Sequence, residues 1–395
     1  MAYDFDHVPD RRNSDSLKWR SYDPDVLPLW VADMDFPAPE PVIAALRQRV
    51  EHGVYGYRYE TGELHEAVVE RLQRLYGWQV TPEAILLLPG VINGFNLACR
   101  AVANPGEEVL VQTPVYPPIL RAGQSSGLAR RQAPLVQQAD GHYGIAWEAF
   151  EEAITPRTRA FLLCNPHNPV GRVWREDELA HMAEICLRHG LTIISDEIHC
   201  DLVFPPHRHR PIAALDPAIE ARTVTLIAPS KTFNIAGLQC ALAIIPDPSL
   251  RRQVQSAGAG LVGGVNLLGF TAALAAYRHG QPWLEALLAY LQANRDLLVQ
   301  YVREHLPGVR LAAPEGTFLA WLDCRNLALP GGPFRFFLER ARVALNDGPT
   351  FGAEGEGFVR LNFGCPRALL VQALERMRAA LAVEHVARIE PGAPI

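Results

Sequence analysis

Short apolar runs recur through the first 245 residues, separated by stretches whose apolar positions follow a helical period. The runs lie at 84–88 (Ala-Ile-Leu-Leu-Leu), 109–111 (Val-Leu-Val), 160–164 (Ala-Phe-Leu-Leu-Cys), 191–195 (Leu-Thr-Ile-Ile-Ser), 223–228 (Thr-Val-Thr-Leu-Ile-Ala) and 241–245 (Ala-Leu-Ala-Ile-Ile). Several have no polar alternation, the pattern of strands covered by helices on both faces. Helical patterns such as Glu176 to His189 fall between most of them. This order predicts an α/β fold with a mostly parallel central sheet. Ahead of it, residues 1 to about 35 read as an extended arm punctuated by Pro24 and Pro28. Pro41 opens a helix through Glu51, and a second runs from Thr61, its N-cap candidate, to Tyr76, with Gly77 as the C′ residue. After Asp247-Pro248 the pattern changes to two long helices (265–279 and 282–305), a strand at 317–322, a helix at 333–343, a strand at 357–363 and a helix at 366–382. A short tail follows after about 384. The expected division is an arm, 1–45, belonging to a small α+β domain, a large domain at 46–284, and the rest of the small domain at 285–395.

Composition narrows the function. Of 395 residues, 49% are hydrophobic and 20% charged, ample for a large core, and the net charge is −6. That mild acidity argues against nucleic-acid or anionic-membrane partners, which call for concentrated Lys and Arg. No apolar run approaches the roughly 18 residues of a membrane span, and the acidic N-terminus lacks a signal-peptide pattern. A cytoplasmic protein is expected. The seven cysteines are scattered and never form a CxxC pair, so neither a metal site nor a disulfide framework is expected.

Four loops follow predicted strands, the edge where an open α/β sheet binds ligands. Leu88-Pro89-Gly90-Val91-Ile92-Asn93-Gly94 would start a helix whose first N–H groups suit a phosphate. Cys164-Asn165-Pro166-His167-Asn168-Pro169 is held away from helix by its prolines and offers Asn168 to a ligand hydroxyl. Ile194-Ser195-Asp196-Glu197-Ile198-His199 ends a strand in carboxylates, one of which could bond a cationic ring nitrogen. Pro229-Ser230-Lys231-Thr232-Phe233-Asn234 presents a lysine among apolar neighbours, where desolvation favours the neutral amine. Each has a plainer reading as a turn, a solvated strand end or a snorkelling lysine; the order and spacing of the four give them weight.

Together these loops resemble the fold-type-I pyridoxal 5′-phosphate enzymes, which include the class I and II aminotransferases. The arm Leu27-Pro28-Leu29-Trp30-Val31-Ala32-Asp33-Met34-Asp35-Phe36 and the block Ala228-Pro229-Ser230-Lys231-Thr232-Phe233-Asn234 look like the MalY/PatB group of cystathionine β-lyases. The resemblance implies that Lys231 carries the cofactor as a Schiff base and moves the substrate Cα proton. It implies that Asp196 faces the pyridine nitrogen, Asn168 the phenolic oxygen and Tyr116 the ring face, with His199 near the ring oxygen. Gly90, Val91, Ile92 and Ser230 would hold the phosphate, together with Tyr57 lent by the neighbouring subunit of a homodimer. Arg360 would clamp the substrate α-carboxylate, with Ala32 beside it. Two positions depart from the aminotransferases: Gln239 stands where many carry a phosphate-binding arginine, and His199 where tyrosine is common. Both fit the lyases.

The implied reaction is α,β-elimination of L-cystathionine or a related cysteine S-conjugate, giving homocysteine or another thiol, pyruvate and ammonia. An aminotransferase would use the same cofactor residues and is the main alternative; a regulatory binding protein retaining the fold is a weaker one. The motif Gly258-Ala259-Gly260-Leu261-Val262-Gly263 satisfies the dinucleotide pattern G-x-G-x-x-G but follows a helical stretch, not a strand. It is expected to be a loop between the two domains.

Overall fold

The computed structural model describes residues 3–389. Within the arm, Leu17–Arg20 form a single helical turn capped by Ser16, so the arm is less extended than its prolines suggest. Helix α1 (Glu40–Glu51) carries its proline in the first turn. Helix α2 (Glu63–Tyr76) closes at Gly77, whose left-handed φ of 65° suits a residue without Cβ. Its start differs from expectation. Gly62, also left-handed, is the N-cap, and Thr61 Oγ1 donates to Glu63 Oε2 at 3.1 Å instead of capping the helix.

The central sheet has eight strands: β1 (Ile85–Leu88), β2 (Glu108–Thr113), β3 (Ala129–Gln137), β4 (Tyr143–Ile145), β5 (Thr158–Cys164), β6 (Thr192–Asp196), β7 (Thr223–Ile227) and β8 (Ala241–Ile244). Their order is β1-β8-β7-β6-β5-β2-β3-β4. Strands β3, β2, β5, β6 and β7 run parallel, while β8 is antiparallel to both of its neighbours and β4 to β3. The β3–β4 hairpin was not legible in the sequence. Its polar run Ala-Arg-Arg-Gln-Ala-Pro-Leu-Val-Gln buries only Ala133 and Leu135, as suits a strand near the sheet edge.

Successive strand residues point to opposite faces, and the burial follows this period. Leu162, Ile194, Val224 and Leu226 pack with Phe95, Leu97 and Ala98 of α3 (Val91–Val102). Phe161, Leu163 and Ile193 pack with Leu179, Met182 and Cys186 of α4 (Glu176–Arg188) on the other side. Each such large side chain contributes about 1.5–3 kcal/mol on leaving water, so the two layers fix the sheet and the loops at its edge.

The G-x-G-x-x-G segment begins at the last residue of α5 (Pro248–Gly258) and leads to α6 (Leu267–His279). No strand precedes it, as the sequence implied. Helix α7 (Gln281–His305) runs unbroken through position 285. A second sheet, ordered β9-β11-β10, is antiparallel and comprises β9 (Leu319–Asp323), β10 (Asn346–Asp347) and β11 (Phe358–Asn362). Strand β9 starts later than expected because Thr317 adopts a left-handed φ of 69°. The helix expected to reach 343 is α8 (Gly332–Glu339); Arg342 turns left-handed and Val343–Ala344 pair instead with Leu27–Pro28 of the arm. Helix α9 (Arg367–Ile389) extends past its expected end at 382 and into the expected tail. Residues 1, 2 and 390–395, including the end of the expected tail, lie outside the described residues.

Candidate active site

From β2 the chain passes to β3 on one side, while β5 lies on the other. Such a reversal of strand order opens a crevice at the carboxyl ends of the strands. The loops after β2 and β5 meet there: Tyr116 N–H donates to Asn168 O at 3.0 Å, and Val115 N–H to Phe351 O at 2.8 Å. Asp196 ends β6, and Lys231 lies in the single helical turn Pro229–Thr232 that follows β7. Two residues separate β1 from helix α3, with Gly90 extended at the helix N-cap and no side chain bonded to the first amides. Those of Val91 and Ile92 remain available to an anion. Five loops thus converge on one edge of the sheet.

Two buried charges at this edge stand alone. Among the described residues, Asp196 and Arg360 are both about 4% exposed, and neither forms an ion pair. Burial, reinforced by the neighbouring Glu197 charge, pushes the Asp196 carboxyl up to about 7 against the opposing pull of Lys231 and the Ile198 N–H. Arg360, on β11, is brought down to about 10 by burial. Its Nη1 donates to Asn168 Oδ1 at 2.9 Å and its Nη2 to Asn346 Oδ1 at 2.6 Å and Trp30 O at 3.1 Å. Its guanidinium lies 4.9 Å from the Phe351 ring centroid, and its Nε is buried without a partner. A lone buried charge is costly, so each of these groups is suited to a charged ligand that is itself part of the working site.

Lys231 Nζ donates to Ala32 O at 2.5 Å. Desolvation and the Arg360 charge lower its amine to about 8, while Asp33 and Asp196 pull the other way. Burial, with Lys231 and Arg360, drives His199 well below the ordinary imidazole value, and its Nδ1 is buried without a partner. Tyr116 is raised by burial and by Asp196.

Lys231 and Ala32 are therefore in contact, as are Arg360 and Asn168, and Asp196, His199 and Tyr116 are tied to the same groups electrostatically. Ser230 is half-buried, and Ile92 is exposed at the head of α3. Tyr57 is not brought in by its own chain: it is fully exposed, on an irregular segment that also exposes Val54, Tyr55 and Tyr59. Gln239 is left-handed and exposed at the end of a short 3₁₀ turn. Sequence reasoning missed Asn346 and the Trp30 carbonyl as partners of Arg360. Nothing in their local pattern marks them, because β10 is two residues long and a carbonyl carries no side-chain signal. A cleft of about 660 Å³ lined by His142, Trp147, Arg175 and His181 holds none of the candidate residues.

A lone carboxylate for a cationic ring nitrogen, an uncapped helix start for a phosphate and a lysine of lowered proton affinity fit pyridoxal 5′-phosphate. The comparisons agree. The profile described as "Aminotransferase class I and II" matches residues 24–377, and the chain belongs to this family of fold-type-I enzymes, whose cofactor is pyridoxal 5′-phosphate. Within it the chain falls with the cystathionine β-lyase group. It is 41% identical to "Cystathionine beta-lyase PatB" of Bacillus subtilis, over 95% of this chain and 99% of that one. It is 36% identical to "Protein MalY" of Escherichia coli, over 93% and 94%. The crystal structure of cystalysin from Treponema denticola, which contains pyridoxal 5′-phosphate, superposes with a TM-score of 0.93 at 31% identity, covering 97% of this chain and all of that one.

Proposed function

We propose that this pyridoxal-phosphate-dependent carbon–sulfur lyase cleaves L-cystathionine or a related cysteine S-conjugate, with water, to a thiol, pyruvate and ammonia. The observation that carries the site assignment is the pair of unpaired buried charges, Asp196 and Arg360, acting on one lysine. The names of the relatives supply the reaction class.

In this reading the cofactor supplies an electron sink next to the substrate Cα. Arg360 binds the α-carboxylate with its planar fork, exchanging the Trp30 and Asn346 oxygens for carboxylate oxygens. Asn168 Oδ1 is engaged by Arg360, which leaves its amide N–H free to donate to the phenolic oxygen. Asp196 holds a proton at the pyridine nitrogen, where a cationic partner returns the carboxyl to its ionised form. Tyr116 covers the ring. Gly90, Val91, Ile92 and Ser230 take the phosphate through N–H and hydroxyl donors, since Gln239 brings no cation. Lys231 Nζ removes the Cα proton in its neutral form. The Cβ–S bond then breaks, and a thiol of pKa about 8.5 leaves far more readily than an alcohol.

The large and small domains would be the units built on the two sheets, with the arm, residues 1–45, joined to the smaller. A cytoplasmic homodimer is part of this reading, supported by the exposed aromatic segment 54–59. With Tyr57 reaching the partner's phosphate, Tyr57→Ala is expected to weaken cofactor binding by about tenfold. Equilibrium dialysis checks this, and an unchanged affinity would place Tyr57 elsewhere.

The function itself is tested by supplying L-cystathionine without any 2-oxo acid. Pyruvate and a free thiol should appear in equal amounts. Absence of pyruvate, with amino transfer once 2-oxoglutarate is added, would make the protein an aminotransferase.

A further inference from the structure

The stretch Trp30–Met34 is held by its main chain. Five consecutive carbonyls each accept from a side chain: Trp30 O from Arg360, Val31 O from Asn362 at 2.6 Å, Ala32 O from Lys231, Asp33 O from Asn362 at 2.7 Å and Lys18 at 3.1 Å, and Met34 O from Asn234 at 2.8 Å and Arg11 at 3.1 Å. Both groups assigned to the substrate, Arg360 and Lys231, therefore rest on this stretch.

Beneath it lie two anions and two cations. Asp35 is fully buried and saturated, receiving Lys18 and Arg11 at 2.6 Å each and the Trp19 indole N–H at 2.8 Å. Asp33 is served less well. Arg11 Nη2 bonds its Oδ2 at 2.6 Å, but its Oδ1 is buried with no hydrogen bond, and Lys18 Nζ comes only to 3.7 Å. The charge on Asp33 is thus balanced chiefly by Arg11, a residue of the arm that belongs to none of the cofactor loops. Lys231 is faced by Arg360 from β11, by Asp196 and His199 from β6 and its loop, and by Asp33 from the arm.

We propose that Arg11 is a positioning residue that sets, through its ion pair with Asp33, how much negative charge the arm presents to Lys231. This rests on the reading of Lys231 as the lysine joined to the cofactor. Asp33 directly follows Ala32, whose carbonyl takes Lys231 Nζ at 2.5 Å, and its negative charge raises the proton affinity of that nitrogen, in the sense opposite to Arg360. Removing the Arg11 charge leaves Asp33 uncompensated and raises it further; removing the Asp33 charge lowers it.

The readout is the pH midpoint of the cofactor's visible absorbance band in the holoenzyme without substrate. Arg11→Gln should raise the midpoint, and Asp33→Asn should lower it, each by about 0.5–1 unit. Arg11→Lys, which keeps a cation beside Asp33, should return most of the shift. In the Asp33→Asn background Arg11→Gln should shift the midpoint much less than it does in the native protein, because the Asp35 charge that Arg11 also meets keeps Lys18 and the Trp19 N–H. A purely structural loosening of the arm would move both single variants the same way and would persist in the double variant. That result, or a midpoint unmoved in folded variants, overturns the proposal. If Arg11→Gln does not fold, Asp33→Asn and Arg11→Lys carry the test, and a midpoint not lowered in Asp33→Asn overturns it. Failure of the underlying reading looks different: the band would then survive Lys231→Ala with its pH dependence intact.

Discussion

Lys231→Ala is expected to cut pyruvate release by at least about 10³-fold, the combined scale of losing a proton-transfer group and a covalent anchor. Borohydride reduction of the native holoenzyme should fix the cofactor to the peptide containing Lys231, and mass spectrometry of the variant should show no such adduct. A reduced adduct on another lysine would sink the assignment. The chemistry depends on the amine's protonation state. At about 8, against 10.5 for an unperturbed lysine, roughly half of the free amines are neutral at pH 8, compared with about one in 300 otherwise. Because the neutral form takes the proton, kcat should rise with pH through this region and level off above it. A kcat that falls over the same range would assign the proton to another base.

Arg360→Lys should raise KM for the amino-acid substrate by about 10²-fold while lowering kcat much less, as expected when binding shared by ground and transition states is lost. The exchange keeps the charge but not the geometry. One ammonium cannot stay bonded to Asn168 and also offer the carboxylate a planar pair of donors, as the guanidinium of Arg360 can. Steady-state kinetics on cystathionine and on its α-carboxamide analogue would separate the effects. The variant should lose most of the native preference for the free carboxylate, and an undiminished preference would place carboxylate recognition elsewhere.

Of the parallel strands, β2, β5, β6 and β7 were legible because both faces are covered, which forces near-continuous apolar runs such as Thr-Val-Thr-Leu-Ile in β7. The β3–β4 hairpin was not, because a strand near the sheet edge buries too few side chains to impose a period. Lys231, Asp196, Asn168 and Arg360 stand out because strand ends and familiar motifs mark them. Their shared environment does not stand out: the lone burial of Asp196 and Arg360 depends on what fails to surround them, which no local pattern records. The Arg11–Asp33 pair was equally hidden. Its members are 22 residues apart in a segment without periodicity and meet only because the Leu17–Arg20 turn folds the arm back on itself.

The carbonyl ladder of Trp30–Met34 bears on how this segment can change over evolutionary time. Its grip is exercised on atoms that every amino acid possesses, so side chains there can be exchanged without loosening it, apart from those with duties of their own such as Asp33. Its vulnerability lies in phase. Gain or loss of one residue would offer each donor the wrong carbonyl and move Arg360 and Lys231 together, so length, more than identity, is what selection has to guard along this stretch.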